Sequence, residues 1–144
     1  MATKNQLSGM QGVYLVAAEL SRLGYIASPT SRSARAADIL VTDQACQRAY
    51  SVQVKTNSSE RSYWLLGADS KTANSPTHIY VFVLLQSKNE KASFFIVPSQ
   101  FVADHTYEER FGQDLWFSFT LQDAAPFENQ WREHFGPPIP SSPA

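Results

Sequence analysis

The run HIYVFVLLQ at 78–86 limits this chain more than any other feature. A strand that is apolar at every position, rather than at every second one, reads as buried on both faces. It belongs in the middle of a sheet with a layer packed on either side. Its apolar stretch YVFVLL (80–85) is far too short to cross a bilayer as a helix.

The flanking sequence supplies the other elements. GVYLVAAELSRLGY places Val13, Val16, Ala17, Leu20 and Leu23 at helical spacing, with Gly24 as the stop. YIAS (25–28) reads as a short strand ended by Pro29, and PTSRSARA as a polar connection. ADILVT (37–42), AYSVQVKT (49–56) and RSYWLL (61–66) read as strands, and 68–77 as a loop of small and polar residues. SKNEK (87–91) turns the chain, and ASFFIVP (92–98) returns it as a hairpin partner. The pattern then predicts a helix over 99–111 capped by Ser99, a short edge strand at 115–119, and a helix over 121–135 with Thr120 or Asp123 at its cap. One domain over 1–136 and a flexible proline-rich tail over 137–144 are expected. The order of elements predicts an α+β fold, with a central mixed sheet of about five strands flanked by helices in a three-layer α/β/α arrangement.

A single cysteine, Cys46, excludes a disulfide within the chain and fits a reducing, cytoplasmic setting. The N-terminal stretch has no long apolar run of the kind found in signal peptides. Formal net charge is −1, which argues against a strong non-specific binder of nucleic acid. The charge is uneven, however. Residues 22–71 hold seven basic and four acidic side chains, a balance of +3, whereas 101–144 hold two basic and seven acidic ones, a balance of −5. A local basic face therefore remains available in the first half.

The chemistry concentrates in ADILV and VQVKT. Gln53 and Lys55 are two apart on one strand and share a face, while Val52 and Val54 point to the other. Asp38 on a neighbouring strand can meet them. Hydrolysis of a phosphodiester uses a divalent cation on hard oxygen ligands and a positioned water, beside which a lysine can offset developing charge. The plain alternative is an aspartate at a strand edge and a solvated sheet face bearing Gln53 and Lys55. Arg32, Arg35 and Arg61 are candidate phosphate contacts or simply solvated loop arginines. Of Tyr63 and Trp64, strand alternation sends one to the core. The three histidines show no metal-ligand spacing.

In order, the helix, ADILV, the turn and VQVKT resemble the PD-(D/E)XK nuclease superfamily, and in particular its small, uncharacterised bacterial members. YWLLG (63–67), HIYVFVLL (78–85) and FFIVPS (94–99) resemble the later strands of that group, so the likeness runs along nearly the whole chain. The resemblance implies a restriction-endonuclease-like fold, metal contacts from Asp38, Gln53 and the Val54 backbone carbonyl, and a water-orienting role for Lys55. It implies magnesium or manganese as cofactor, DNA as partner, no membrane, and room for a homodimer. Two departures stand out. Those relatives carry a glutamate directly after the helix glycine, where this chain has Val13 after Gly12, and the superfamily's usual acid at position 53 is glutamine. Glu19 lies some 120° around the helix from Val13 by ideal helical geometry. One carboxylate beside Lys55 holds a divalent ion weakly. Two functions follow as expectations: metal-dependent hydrolysis of DNA phosphodiesters, or an inactive nuclease-fold module that binds nucleic acid or a protein partner.

Overall fold

The computed structural model describes residues 1–31, 37–58, 61–86 and 91–140. Helix α1 (Lys4–Arg22) starts two turns earlier than the apolar spacing predicts. The Thr3 side chain accepts from the Gln6 amide while the Gln6 side chain accepts from the Thr3 amide, a reciprocal capping box that satisfies donors the first turn cannot. The helix closes at Leu23, and Gly24 follows at φ 100°, as its place at the end of the periodic run predicts.

Strands β1 (Ile26–Pro29), β2 (Ile39–Thr42), β3 (Ala49–Asn57), β5 (His78–Leu84) and β6 (Ser93–Pro98) form one sheet in the order β1-β2-β3-β5-β6. Only β3 and β5 run parallel, so the sheet is mixed as expected. All seven residues of β5 are buried. Ile79, Val81 and Val83 join Val52, Val54 and Ile96 beneath Val16 and Leu20 of α1, with Trp131 and Phe135 from the C-terminal end of the chain. Tyr80, Phe82 and Leu84 face the opposite layer with Phe95 and Val97.

That opposite layer is built largely from a second sheet. Strands β4 (Tyr63–Leu66), β8 (Asp114–Thr120) and β7 (Tyr107–Phe111) pair antiparallel in the order β4-β8-β7, alongside α2 (Ser99–His105). Trp64 and Phe119 carry it onto the main sheet: Trp64 is wholly buried, its indole donates to the Val83 carbonyl at 3.0 Å, and Phe119 stacks on Phe82. Tyr63 is exposed, as alternation requires.

The C-terminal third departs from the pattern in four places. The predicted helix over 99–111 stops at His105, and 107–111 becomes β7, which turns at Gly112 (φ 64°) into β8. Pairing with β8 supplies the backbone partners that an isolated helix would supply itself. The strand predicted at an edge is the centre of the small sheet. Ser99 is not a side-chain cap; its hydroxyl donates to the Ser75 carbonyl at 2.8 Å. The predicted helix over 121–135 is two short helices, α3 (Leu121–Ala124) and α4 (Trp131–Phe135). Thr120 does cap the first, but Glu128 then bridges to Phe95 and Asn129 takes φ 57°, so the chain pairs briefly with β6. Beyond it, the Gly136 carbonyl accepts from the Tyr25 hydroxyl, Pro137 from Arg48, and Pro138 from the Gln44 amide. Residues 141–144 of the proline-rich segment lie outside the described residues.

Gly12 sets how closely α1 approaches β3. A Cβ there would overlap the Thr56 hydroxyl and stand 3.0 Å from the Thr56 Cβ, whereas one at Gly9 would meet nothing within 4 Å. Two substitutions of the same chemistry should therefore move stability in opposite directions. Gly9→Ala should stabilise by up to about 1 kcal/mol through helix propensity. Gly12→Ala should destabilise by about 1–3 kcal/mol through overpacking. Urea midpoints of the two variants check the pair.

Candidate active site

Asp38 immediately precedes β2, one step beyond the Ile39–Val52 pair, which sets it opposite Gln53. Its amide donates to the Val52 carbonyl at 2.8 Å, and its carbonyl accepts from the Thr30 amide at 2.9 Å. With the backbone held on both sides, the carboxylate turns toward β3. Oδ2 accepts from Gln53 Nε2 at 3.0 Å and from the Val54 amide at 2.8 Å. These residues border a pocket of about 520 Å³ whose far wall is α1, including Gln6, Met10, Val13 and Tyr14.

The structure thus brings Asp38, Gln53 and Val54 together and sets Val13 across the pocket from them. Glu19 is elsewhere. It pairs with Arg22 at 2.5 Å, and that hydrogen bond holds its carboxyl below the ordinary range. Lys55 is half-buried and two residues along β3 from Gln53. It does not line the Asp38 pocket but a different cavity of about 200 Å³, with Arg61, Asn57, Asn5 and Ser8. Arg32 and Arg35 lie outside the described residues.

A divalent cation is a poor fit to this donor set. Magnesium favours several hard, anionic oxygens. Here one carboxylate is present, one of its oxygens already accepts two hydrogen bonds, and the Gln53 amide presents its nitrogen toward Asp38. Valine occupies the facing helix wall. Among the described residues no three of His, Cys, Asp and Glu cluster at metal-binding distance.

A second polar pair escapes a reading based on metal spacing. His78 pairs in register with Ser51, and its Nδ1 is 2.7 Å from the Ser51 hydroxyl. Both line a pocket of about 480 Å³ with Asn74 and Ser75. Burial pushes the His78 pKa below its ordinary value by disfavouring the charged imidazolium. Only the parallel β3–β5 register puts these two residues side by side.

No family model and no curated protein matches the chain. Among solved structures it is similar to Archaeoglobus fulgidus Hjc, a Holliday junction resolvase from an archaeal hyperthermophile. The TM-score is 0.54 with 18% sequence identity, over 89% of this chain and 95% of that one. The fold is restriction-endonuclease-like. Asp38 lies just before β2, opposite β3, the strand at which antiparallel pairing gives way to parallel pairing with β5.

Asp38→Ala should cost about 1–3 kcal/mol by leaving the Val54 amide without an acceptor, and Asp38→Asn less, because an oxygen remains. Denaturant melts of both variants check this. His78 gives a pH signature of definite sign. Its folded-state pKa is depressed, so below about 6.5 the unfolded chain binds more protons and stability falls as pH drops. His78→Gln should flatten the stability difference between pH 7.5 and 5; His134, depressed by the same cause, contributes equally to both proteins.

Proposed function

We propose that this chain is a PD-(D/E)XK-type, nuclease-like protein directed at DNA, which engages the phosphodiester but hydrolyses it weakly with magnesium. The observation that carries the reading is the meeting of Asp38 with Gln53 and Val54 at the β2–β3 junction, with Lys55 next along the strand. The likeness in fold to a Holliday junction resolvase supports DNA as the partner class. Asp38, Gln53 and Lys55 are the residues the proposal assigns to the site. Lys55 and Arg61, which share one cavity, supply positive charge for phosphate oxygens. Arg32 and Arg35 are assigned the same role from the sequence. The Val13 wall and the two hydrogen bonds on Asp38 Oδ2 account for weak hydrolysis.

Those same hydrogen bonds favour the second reading, an inactive module that keeps the fold and binds without cutting. Fluorescence anisotropy on duplex and four-way junction DNA, paired with cleavage assays in magnesium and in manganese, separates the two. We expect binding that weakens with salt, a salt slope lowered by about 1 in Lys55→Ala, and little cleavage in magnesium with partial rescue by manganese. Val13→Glu should tighten manganese binding in calorimetry, provided its melt shows a folded protein. Vigorous magnesium-dependent cleavage lost in Lys55→Ala would show that another residue supplies the missing acid. Absence of DNA binding would remove the DNA assignment.

A further inference from the structure

The outer face of the small sheet carries a second concavity. Tyr63 on β4, Trp116 on β8 and Phe111 on β7 alternate away from the buried Trp64 and Phe119. They are 41%, 46% and 59% exposed and line one cleft of about 470 Å³. Phe111 meets Trp116 edge-on with ring centroids 6.3 Å apart. Single exposed aromatics are ordinary on a protein surface, but a ring pair with a third aromatic lining the same cleft marks a contact site.

The charge of the cleft says what it contacts. Glu109 and Asp114 line it together with the aromatic rings, and among the described residues no basic side chain does. Among the described residues neither carboxylate is in an ion pair. Carboxylates and the negative faces of aromatic rings both attract a cation. A phosphate would instead meet two like charges. Nucleic acid is therefore disfavoured here and favoured in the Lys55–Arg61 cavity, which lies on the other side of a wall made by Tyr63 and Leu65. The cleft also borders β7, one of the two edges of the small sheet, which pairs with β8 alone among the described strands. Such an edge offers a row of backbone donors and acceptors to an added strand.

We propose that this cleft docks an extended, arginine- or lysine-bearing segment of a protein partner, added as a strand along β7. A cationic side chain packs on Phe111 and Trp116 and is balanced by Glu109 and Asp114. The docking requires neither metal nor DNA, so it stands apart from the reading of the Asp38 site.

The test titrates the full chain with an acetylated, amidated Arg-Val-Arg-Val-Arg-Val peptide, and with its glutamate counterpart, by amide and indole NMR. Saturable shifts confined to 107–116 and the Trp116 indole are expected from the arginine peptide, and none from the glutamate peptide. The double variant Glu109→Gln/Asp114→Asn should weaken binding on the order of tenfold, and Trp116→Ala by a similar factor. Glu133→Gln, on α4 away from the cleft, should leave it unchanged. Melting curves confirm that each variant is folded. Any one of five results would overturn the proposal: no shifts at millimolar arginine peptide, equal binding of the glutamate peptide, full binding by the folded double variant, stronger shifts of the same residues by single-stranded DNA, or the same shifts on concentrating the protein alone, which would make a second copy the occupant.

Discussion

Burial of β5 on both faces is the constraint to which everything else answers. Seven consecutive residues leave water, and each large apolar side chain fully buried contributes about 1.5–3 kcal/mol. Neither layer alone provides that burial. Helix α1 and α4 cover Ile79, Val81 and Val83, while the small sheet and α2 cover Tyr80, Phe82 and Leu84. The Trp64 indole ties the second layer to the first by donating into β5 itself, at the Val83 carbonyl. This explains why the small sheet, although only three strands, is held in place: its inward aromatics stack against a surface that cannot be left exposed.

The polar end of the sheet follows from how closely α1 lies on β3. Gly12 permits that approach, and the Thr56 hydroxyl beneath it is buried without a partner among the described residues. The next residue, Val13, is carried to the wall of the Asp38 pocket. An apolar side chain there removes the charge that would draw a cation in. The remaining carboxylate still has to be satisfied, because a half-buried charge without partners is costly. Gln53 and the Val54 amide supply the donors. A group that resembles part of a reaction centre thereby acts as a clamp between β2 and β3.

Charge is sorted around Tyr63 and Leu65. On one side lie Lys55 and Arg61, and on the other Glu109 and Asp114. The sequence halves carry the same imbalance, basic over 22–71 and acidic over 101–144. The fold turns an imbalance along the chain into two cavities of opposite charge on either side of Tyr63 and Leu65.

Much of the fold was legible because local patterns and burial agreed. Val16, Leu20, Ile39, Val52, Val54, Val81 and Val83 lie at helical or alternating spacing, and all are buried. The capping box at Thr3 is equally local, but its positions precede the first apolar repeat, so the helical spacing alone does not reach it. The meeting of Asp38 with Gln53 is implied by two adjacent strands of matching period. What only tertiary structure decided depends on partners distant in sequence. Residues 107–111 carry little apolar periodicity, and pairing with β8 made them a strand. Glu128 and Asn129 broke a helical pattern because Phe94 and Phe95 offered backbone partners. Ser51 met His78 only through the parallel register of β3 with β5. A backbone group takes whichever hydrogen-bond partner lets the neighbouring side chains bury most, and the sequence near that group does not contain the partner.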